Sequence, residues 1–213
     1  MSRTEACESE RGRPGGESPV YDRIARHYDR AMRPLERLFL ARLRRETLRQ
    51  LPTHARLLEV GAGTGANFSL YPAGASGAAT EPSGEMLSRA RARPERPREV
   101  SLVRATAERL PFADGAFDAA FATLVFCSVA EPRRALTELR RVVRRGGRVV
   151  LLEHVRPEGA LGHVFDALSV LTVALIEDHF NRRTEDEARR AGLRVLSAER
   201  RCAGVFQIIV CEV

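Results

Sequence analysis

The stretch that decides the fold is LLEVGAGTG, Leu57 to Gly65. Its first half is an apolar run with an acidic residue, Glu59, near its end, and such a run is typical of a buried strand. Its second half repeats glycine, which accepts positive φ angles and lets a ligand lie against the backbone. Ligands of open parallel sheets bind beyond the carboxyl ends of the strands, where this turn must lie. The stretch therefore predicts a strand that ends in a ligand-binding loop.

Strand and helix patterns alternate on both sides of this loop. Strands are predicted over 55–60, 74–80, 100–106, 117–126 and 148–155, and helices after the glycines (GANF), over 83–92 and over 132–145. The last of these helices is predicted to end at Gly146-Gly147. This alternation implies a parallel sheet with helices on both faces.

The C-terminal part of the sequence departs from that alternation. An apolar helix is predicted over 161–177, and a short helix over 184–191 that stops at Gly192. Two β-type runs follow, 193–201 and 205–213, joined by a Cys-Ala-Gly turn. They predict a terminal hairpin, which places an antiparallel strand in an otherwise parallel sheet.

The N-terminal part divides into a tail and an amphipathic helix. Residues 1–18 mix Ser, Gly, Pro and charges without apolar periodicity and are predicted to be disordered, so one domain over 19–213 is expected. Residues 34–51 have leucines at helical spacing among arginines, with Pro34 predicted in the first turn. This helix either packs on the sheet or lies on a membrane surface.

Composition excludes several classes of protein. The chain has 213 residues, 44% of them apolar, a net charge of +7, and arginine as its only strongly basic residue type. No apolar run approaches the roughly 18 residues of a membrane span, and the polar N-terminus does not resemble a signal peptide, so a cytoplasmic location is expected. The four cysteines lack metal-site spacing, and no aromatic or Cys/His motif indicates nucleic-acid binding, so neither metal nor nucleic acid is expected. The oligomeric state is left open.

A second acidic residue, Glu81, ends the predicted second strand 20 positions after Gly61. This spacing is typical of a carboxylate that accepts hydrogen bonds from ribose hydroxyls. Because Gly61, Gly63 and Ala66 also satisfy the dinucleotide fingerprint, a nicotinamide-dependent oxidoreductase stays an alternative. Glu59 before the loop, the terminal hairpin and the lack of Lys count against it.

Four quoted segments together resemble class I, S-adenosylmethionine-dependent methyltransferases: LLEVGAGTG, the acid Glu81, AERLPFADGAFDAAFA (107–122) and LRRVVRRGGRVVLLEHV (139–155). The resemblance covers about residues 20–213 and points to the methyltransferase type 11 branch, which includes quinone C-, phosphatidylethanolamine N- and thiol S-methyltransferases. LLEVGAGTGANFSLYP and TLVFCSV look closest to the thiol enzymes. The family implies a Rossmann-like, seven-stranded, mostly parallel sheet with helices on both faces and a C-terminal antiparallel hairpin.

The resemblance also implies a set of cofactor-binding residues. The methionine part would lie at Glu59 and the glycine loop, the ribose at Glu81, the adenine near Pro82, Met86, Ala107 and Glu108, and the sulfonium above the end of the fourth strand. Each has a plainer alternative: Met86 as core, Tyr28 as packing, Glu108 as a solvated acid. The full implied set is Tyr28, Glu59, Gly61, Ala62, Gly63, Gly65, Asn67, Glu81, Pro82, Met86, Ala107, Glu108, Thr123 and Leu124.

Methyl transfer needs alignment and a dry site, and a base only where the acceptor holds a proton. Candidate catalytic residues are Tyr28 and His154, the latter expected to titrate near neutral pH at the end of the fifth strand; the alternative is that His154 bonds a neighbouring loop. Segments 20–51 and 156–183 would cover a small or lipid-like acceptor: a thiol first, then a lipid amine or a quinone. S-adenosylhomocysteine would be the product. A non-catalytic adaptor at a membrane surface is the third hypothesis.

Overall fold

The computed structural model describes residues 19–155 and 184–213. Its strands are β1 (Arg56–Val60), β2 (Ser76–Thr80), β3 (Val100–Val103), β4 (Phe117–Thr123), β5 (Val143–His154), β6 (Arg194–Arg201) and β7 (Phe206–Glu212). Its α-helices are α1 (Pro19–Leu35), α2 (Ala41–Leu48), α3 (Gly84–Arg91), α4 (Pro132–Val142) and α5 (Thr184–Arg190). The predicted tail, the predicted helix over 161–177 and the predicted cover over 156–183 lie outside the described residues.

The described strands form one seven-stranded sheet in the order β3-β2-β1-β4-β5-β7-β6. Strands β1 to β5 pair in parallel, whereas β7 is antiparallel to both β5 and β6. The chain builds outward from β1 to β3, then returns to β4 on the other side of β1. The crevice between β1 and β4 is therefore the switch point at which such sheets bind ligands. The predicted fold class is confirmed, including the terminal hairpin.

The sheet buries side chains on both faces. Leu57 lies in an apolar cluster with Leu43 of α2 and Phe121 of β4. Its neighbour Leu58 lies in another cluster with Leu136 of α4. Adjacent residues of a strand point to opposite faces, so the unbroken apolar run of β1 indicates a strand covered on both sides.

The N-terminal helix differs from its prediction. It begins at Pro19, not Pro34, and Pro34 lies inside α1 near its end. A π-helical turn, Glu36–Leu40, follows and leads directly into α2, and the N–H of Ala41 donates to the oxygen of Glu36. Proline has no N–H to donate within a helix, so a break in the regular pattern beside it is expected. The predicted first-turn role of Pro34 is wrong.

Two other predicted helices are also corrected. After the glycines the chain forms turns and one short 3-10 helix, Phe68–Leu70, because Gly61, Gly63 and Gly65 all have positive φ and Pro72 follows. Helix α4 ends at Val142, earlier than predicted, and β5 already begins at Val143. Gly146 and Gly147 therefore lie within the strand and do not end the helix. At Gly147 a Cβ atom would be 2.6 Å from the oxygen of Asp118, so no larger residue fits beside β4.

The remaining predicted elements agree to within three residues. Strand β3 ends at Val103 and β4 at Thr123, each earlier than the sequence pattern suggested. Helix α3 begins where predicted, since the Ser83 hydroxyl accepts the N–H of Met86 as an N-cap. In the described part of the chain, no helix has the length and apolar character needed to cross a membrane.

Candidate functional site

The loop after β1 brings bare backbone to the switch point. Gly61 has φ +71° and packs so closely that a Cβ atom would be 2.4 Å from a methyl of Val125. Gly63 has φ +55°, and a Cβ atom there would meet nothing within 4 Å. The N–H of Ala62 donates to the oxygen of Thr80 over 2.9 Å, which ties the loop to the end of β2. Gly63 therefore faces open space, while Ala62 before it is fixed to the end of β2.

Glu81 joins the loop to the end of β2. Its carboxylate accepts the N–H of Gly63 over 2.9 Å on one oxygen and the N–H of Ser83 over 3.0 Å on the other. The residue is only 7% exposed. Burial raises the pKa of Glu81, while the two backbone N–H groups oppose that rise. Because a carboxylate oxygen accepts two hydrogen bonds, each oxygen retains capacity for a ligand hydroxyl.

A cavity of about 330 Å³ opens beside this pair, beyond the carboxyl ends of the strands. Its wall combines the loops after β1 to β4 with side chains of α1 and α2. Of the cofactor-binding residues implied by the sequence, the cavity brings together Tyr28, Gly61, Ala62, Gly63, Glu81, Pro82, Met86, Ala107, Glu108, Thr123 and Leu124.

Glu59, Gly65 and Asn67 are not among the described residues that line this cavity. Glu59 is fully buried and accepts hydrogen bonds from Asn67 Nδ2 and from the Tyr71 hydroxyl, both over 2.6 Å. Burial raises the pKa of Glu59, against those two donors and the positive charge of Arg44. Gly65 has φ +83° and lies against the ring of Phe68. These residues support the loop from the side away from the cavity, and direct contact of Glu59 with a ligand stays a prediction.

Arg44 lines the cavity from α2 and was not among the predicted site residues. Its guanidinium donates to Asn67 Oδ1 over 3.1 Å and makes a very short contact with the Thr123 hydroxyl. It also pairs with Glu36 at 3.0 Å. Arg44 occurs four residues after buried Leu40 and four before buried Leu48, so it lies on the inward face of the helix. That spacing was the available signal.

Helix α1 is tied to the site by two aspartates. Asp22 accepts the Ser83 hydroxyl and, over 3.3 Å, the N–H of Glu85 at the start of α3. Asp29 accepts the Thr64 hydroxyl and Arg93 Nη2, both over 2.6 Å. Tyr28, between them in sequence, thereby reaches the cavity wall.

The turn after β4 is strained and held by a second missed residue. Leu124 has φ +60°, a conformation that non-glycine residues rarely adopt and that recurs at functional sites. Glu153, buried at the end of β5, accepts the N–H groups of Val125 and Phe126, each over 3.2 Å. An acid in the apolar LLEH run was the signal for it. Glu108 similarly accepts the N–H groups of Ala130 and Glu131, ahead of α4.

His154 differs from the expectation that it titrates near neutral pH, and its catalytic role stays a prediction. Burial and the charge of Arg44 lower the pKa of His154 to about 4, so the ring does not titrate near neutral pH. It packs against Phe206 with ring centroids 4.7 Å apart and is not among the described residues of the cavity wall. Cys127 is also absent from that set, and its thiol faces the oxygen of Leu124 at 3.5 Å.

The amino-acid sequence of this chain is similar to sequences of known methyltransferases. Residues 58–151 match the methyltransferase domain family. A thiol S-methyltransferase of Mus musculus is 34% identical over 63% of this chain and 58% of its own length. A phosphatidylethanolamine N-methyltransferase of Cereibacter sphaeroides is 38% identical over 54% and 58%. A demethylmenaquinone methyltransferase of Clavibacter sepedonicus is 36% identical over 68% and 60%. The chain thus spans less than two thirds of the length of these relatives.

Solved structures agree with that placement. A crystal structure of a SAM-dependent methyltransferase from Thermotoga maritima, described as a possible histamine N-methyltransferase, superposes with a TM-score of 0.71 at 25% identity. The match covers 91% of this chain and 98% of that one. The [4+2]-cyclase SpnF shares the fold at 18% identity, with a TM-score of 0.67 over 93% and 98% of the two chains. The sheet order, the glycine loop and these matches agree that the chain has the fold of S-adenosylmethionine-dependent methyltransferases and is similar to them in sequence over residues 58–151.

Proposed function

We propose that this chain transfers the methyl group of S-adenosylmethionine to a small or amphipathic acceptor and releases S-adenosylhomocysteine. One observation carries the proposal: the Gly63 N–H meets the Glu81 carboxylate at 2.9 Å on the wall of the cavity. A nucleoside lying there would have backbone beneath it and a carboxylate beside its ribose.

The residues of the cavity suit such a nucleoside. Gly63 leaves room where any side chain would project, and Glu81 retains acceptor capacity for a vicinal diol. Pro82, Met86 and Ala107 give the adenine an apolar surface, with Glu108 at its edge. Thr123 and Leu124 lie at the end of β4, beside the crevice between β1 and β4, beneath the expected position of the sulfonium. When bound, the cofactor supplies an activated methyl group.

The nicotinamide alternative is less well supported. A pyrophosphate is bound by the free N–H groups at the N-terminus of an α-helix. After this glycine loop the chain makes turns and the short 3-10 helix Phe68–Leu70, which gives little helix dipole. NADH fluorescence titration tests the alternative directly, and saturable binding would favour it.

The described side chains favour an acceptor that needs little help with its proton. The described cavity wall contains no His, and His154 behind it is neutral at pH 7 because its pKa is lowered to about 4. A thiol, with a pKa of about 8.5, is partly ionised near neutrality, whereas an amine or a carbon acid needs a base. Tyr28 is the candidate in the wall for orienting the acceptor or accepting its proton. We therefore place thiols first, then lipid amines and quinones, the classes named for the relatives.

The step itself is an in-line displacement. A cofactor held by the glycine loop and Glu81 would supply the methyl group to the attacking acceptor sulfur and would leave as S-adenosylhomocysteine. The thiol proton leaves to solvent before or during attack. The chain contributes alignment through its glycine loop and Glu81 and a partly desolvated cavity.

A peripheral contact with an anionic membrane is part of the proposal, together with a cytoplasmic location. Leu38 and Phe39 are 71% and 44% exposed in the π-helical turn. Exposed arginines flank them at positions 33, 37 and 42. Apolar side chains inside a basic rim suit a bilayer that carries anionic lipids, from which an amphipathic acceptor would enter.

The decisive experiment is a methyl-transfer screen over thiols, amines, phenols and lipid vesicles, with release of S-adenosylhomocysteine as the readout. We expect the wild-type chain to release S-adenosylhomocysteine with at least one thiol. At low cofactor concentration, the Glu81→Ala variant should release none. Calorimetry with S-adenosylhomocysteine comes first, because a folded sample that does not bind it contradicts the proposal. Binding without turnover on any acceptor would instead support the non-catalytic adaptor.

A further inference from the structure

The turn after β4, residues 124–126, forms one wall of the cavity and packs against another. Leu124 and Val125 of this β4 turn line the cavity, and so does Gly61 of the glycine loop. A Cβ atom at Gly61 would be 2.4 Å from a methyl group of Val125, so the turn and the loop lie against each other. A shift of the β4 turn would therefore reshape the cavity and remove a contact that holds the glycine loop.

The backbone of the β4 turn has a shape that binds anions. Leu124 has φ +60°, in the left-handed region. The next two N–H groups, those of Val125 and Phe126, converge on one carboxylate oxygen. Successive N–H groups that converge in this way form an anion-binding concavity known as a nest. Here the anion comes from the same chain, because the oxygen belongs to Glu153 and lies 3.2 Å from each nitrogen.

Glu153 is buried, and the sheet fixes its backbone on both sides. The residue is only 1% exposed. It pairs with Gln207 of β7, while the preceding residue of β5, Leu152, pairs with Thr123 at the end of β4. A buried carboxylate is costly unless donors stabilise its charge, and the two N–H groups of the β4 turn are such donors. The sheet therefore fixes the acid, and the acid fixes the turn.

The left-handed conformation of Leu124 needs such a contact to persist. A non-glycine residue at positive φ is strained by the equivalent of an about five- to 150-fold change in an equilibrium constant. The N–H of Leu124 donates to the oxygen of Leu152 over 2.7 Å, which holds the start of the turn. The hydrogen bonds to Glu153 hold the residues that follow, where the turn meets Gly61. Without them the turn would relax toward negative φ.

We propose that Glu153 is a positioning residue for the cofactor. It keeps the β4 turn in the left-handed form, in which Val125 supports the glycine loop and the cavity has the shape that the cofactor needs. The inference rests on the proposed function, since the ligand is S-adenosylmethionine or its product. Glu153 is not among the described residues of the cavity wall, so it acts through the turn. Through its pairing with β7, it also links the terminal hairpin to the site.

Calorimetry with S-adenosylhomocysteine tests this role, with each variant measured at a temperature at which thermal melts show it to be folded. We expect Glu153→Ala to bind at least about fivefold more weakly than the wild type, a lower bound set by the strain of Leu124. Glu153→Gln should bind more tightly than Glu153→Ala, because its amide oxygen can accept both N–H groups.

Asp118→Ala is the matched control. Asp118 accepts the N–H of Arg56 over 2.9 Å, at the end of β4 opposite the cavity. Its loss should lower thermal stability while the affinity for S-adenosylhomocysteine stays within about twofold, as expected for distant sites. Equal losses of affinity in Asp118→Ala and Glu153→Ala would indicate general loosening of the fold and would overturn the inference.

The other outcomes separate this inference from the proposed function. A wild-type chain that does not bind S-adenosylhomocysteine contradicts both. A folded Glu153→Ala variant that loses less than about fivefold in affinity overturns this inference alone, and so does a Glu153→Gln variant that binds no more tightly than Glu153→Ala. If Glu153→Ala does not fold, Glu153→Asp replaces it. Its carboxylate is one methylene shorter and falls short of the two N–H groups, so wild-type affinity in Glu153→Asp would count against the role.

Discussion

At the scale of single residues, Glu59 and Glu81 show how two similar acids take different roles. Both end buried strands, and burial raises the pKa of each. The side chains of Asn67 and Tyr71 donate to Glu59, which leaves it behind the cavity wall. In the part of the chain that the structure describes, two backbone N–H groups hold Glu81, which lines the cavity. Glu59 therefore stabilises the loop, and Glu81 is the acid that we propose to bind a ligand.

Replacing Glu81 tests the second role. We expect Glu81→Ala to weaken S-adenosylhomocysteine binding by about 1.5–3 kcal/mol, the typical contribution of hydrogen bonds to a charged group, as measured by calorimetry. In the wild type, affinity should also fall as the pH is lowered. The loss should begin above the ordinary range of a glutamate, because burial raises the pKa of Glu81 and protonation removes acceptor capacity. The variant should lack this pH dependence, and an unchanged affinity would refute the ribose role.

Tyr71→Phe tests the first role. It removes the hydroxyl that donates to Glu59 over 2.6 Å while keeping the ring against Phe68 and Phe121. We expect the free energy of unfolding to fall by about 1–3 kcal/mol, because a buried acceptor loses a donor. The hydroxyl lowers the pKa of Glu59, so it stabilises the charged form. The loss in denaturant melts should therefore grow as the pH rises through the folded pKa of Glu59; an equal loss at acid and neutral pH would contradict this.

The sequence predicted the residues whose role is local to the loop and missed those that act across the fold. The glycines and Glu81 follow strands, so their position at the sheet edge follows from topology. Arg44 and Glu153 act on loops that are distant in sequence, and no spacing rule links Arg44 to Thr123. His154 was placed correctly at the end of β5, but its low pKa depends on burial and on Arg44, which the sequence alone does not reveal.

At the scale of elements, the π-helical turn between α1 and α2 separates two helices that both serve the site. A π-turn corresponds to one extra residue within an α-helix, and each residue of an α-helix turns it by about 100°. Helix α1 contributes Tyr28 and the two aspartate ties, and α2 contributes Arg44. The extra residue lets both faces point to the sheet without a loop between them. The sequence pattern showed one amphipathic helix and gave no sign of this break.

Removing that extra residue should therefore be tolerated. We expect deletion of Leu38, an exposed residue of the turn, to restore a regular α-helix while Arg44 keeps its place. Thermal stability and affinity for S-adenosylhomocysteine should change little. Deleting Arg45, an exposed residue inside regular α2, is the matched control, because it rotates Thr47 and Leu48 out of the core. If both deletions lowered thermal stability and affinity equally, the π-helical turn would not be one extra residue that the fold tolerates.

At the scale of the whole molecule, the surface around the π-helical turn combines exposed Leu38 and Phe39 with the arginine excess of a chain of net charge +7. We expect co-sedimentation with vesicles that contain anionic lipid at low salt, and much weaker co-sedimentation with neutral vesicles. A Leu38→Ser/Phe39→Ser variant should lose most of this binding. Leu196→Ser, which removes an apolar side chain of 45% exposure on β6, is the control. Binding that ignores lipid charge would dismiss the electrostatic contact.

The antiparallel pair at the edge of the sheet has a consequence for biosynthesis. Strand β7 lies between β5 and β6, and Val213 exchanges backbone hydrogen bonds with Gly146 and Gly147. A nascent chain can pair β1 to β5 as it leaves the ribosome. The edge of β5 that faces away from β4 has no partner strand until residues 206–212 have emerged. A premature stop codon anywhere before that strand would therefore release a polypeptide with a bare, apolar strand edge, a ready substrate for chaperones, proteases and aggregation.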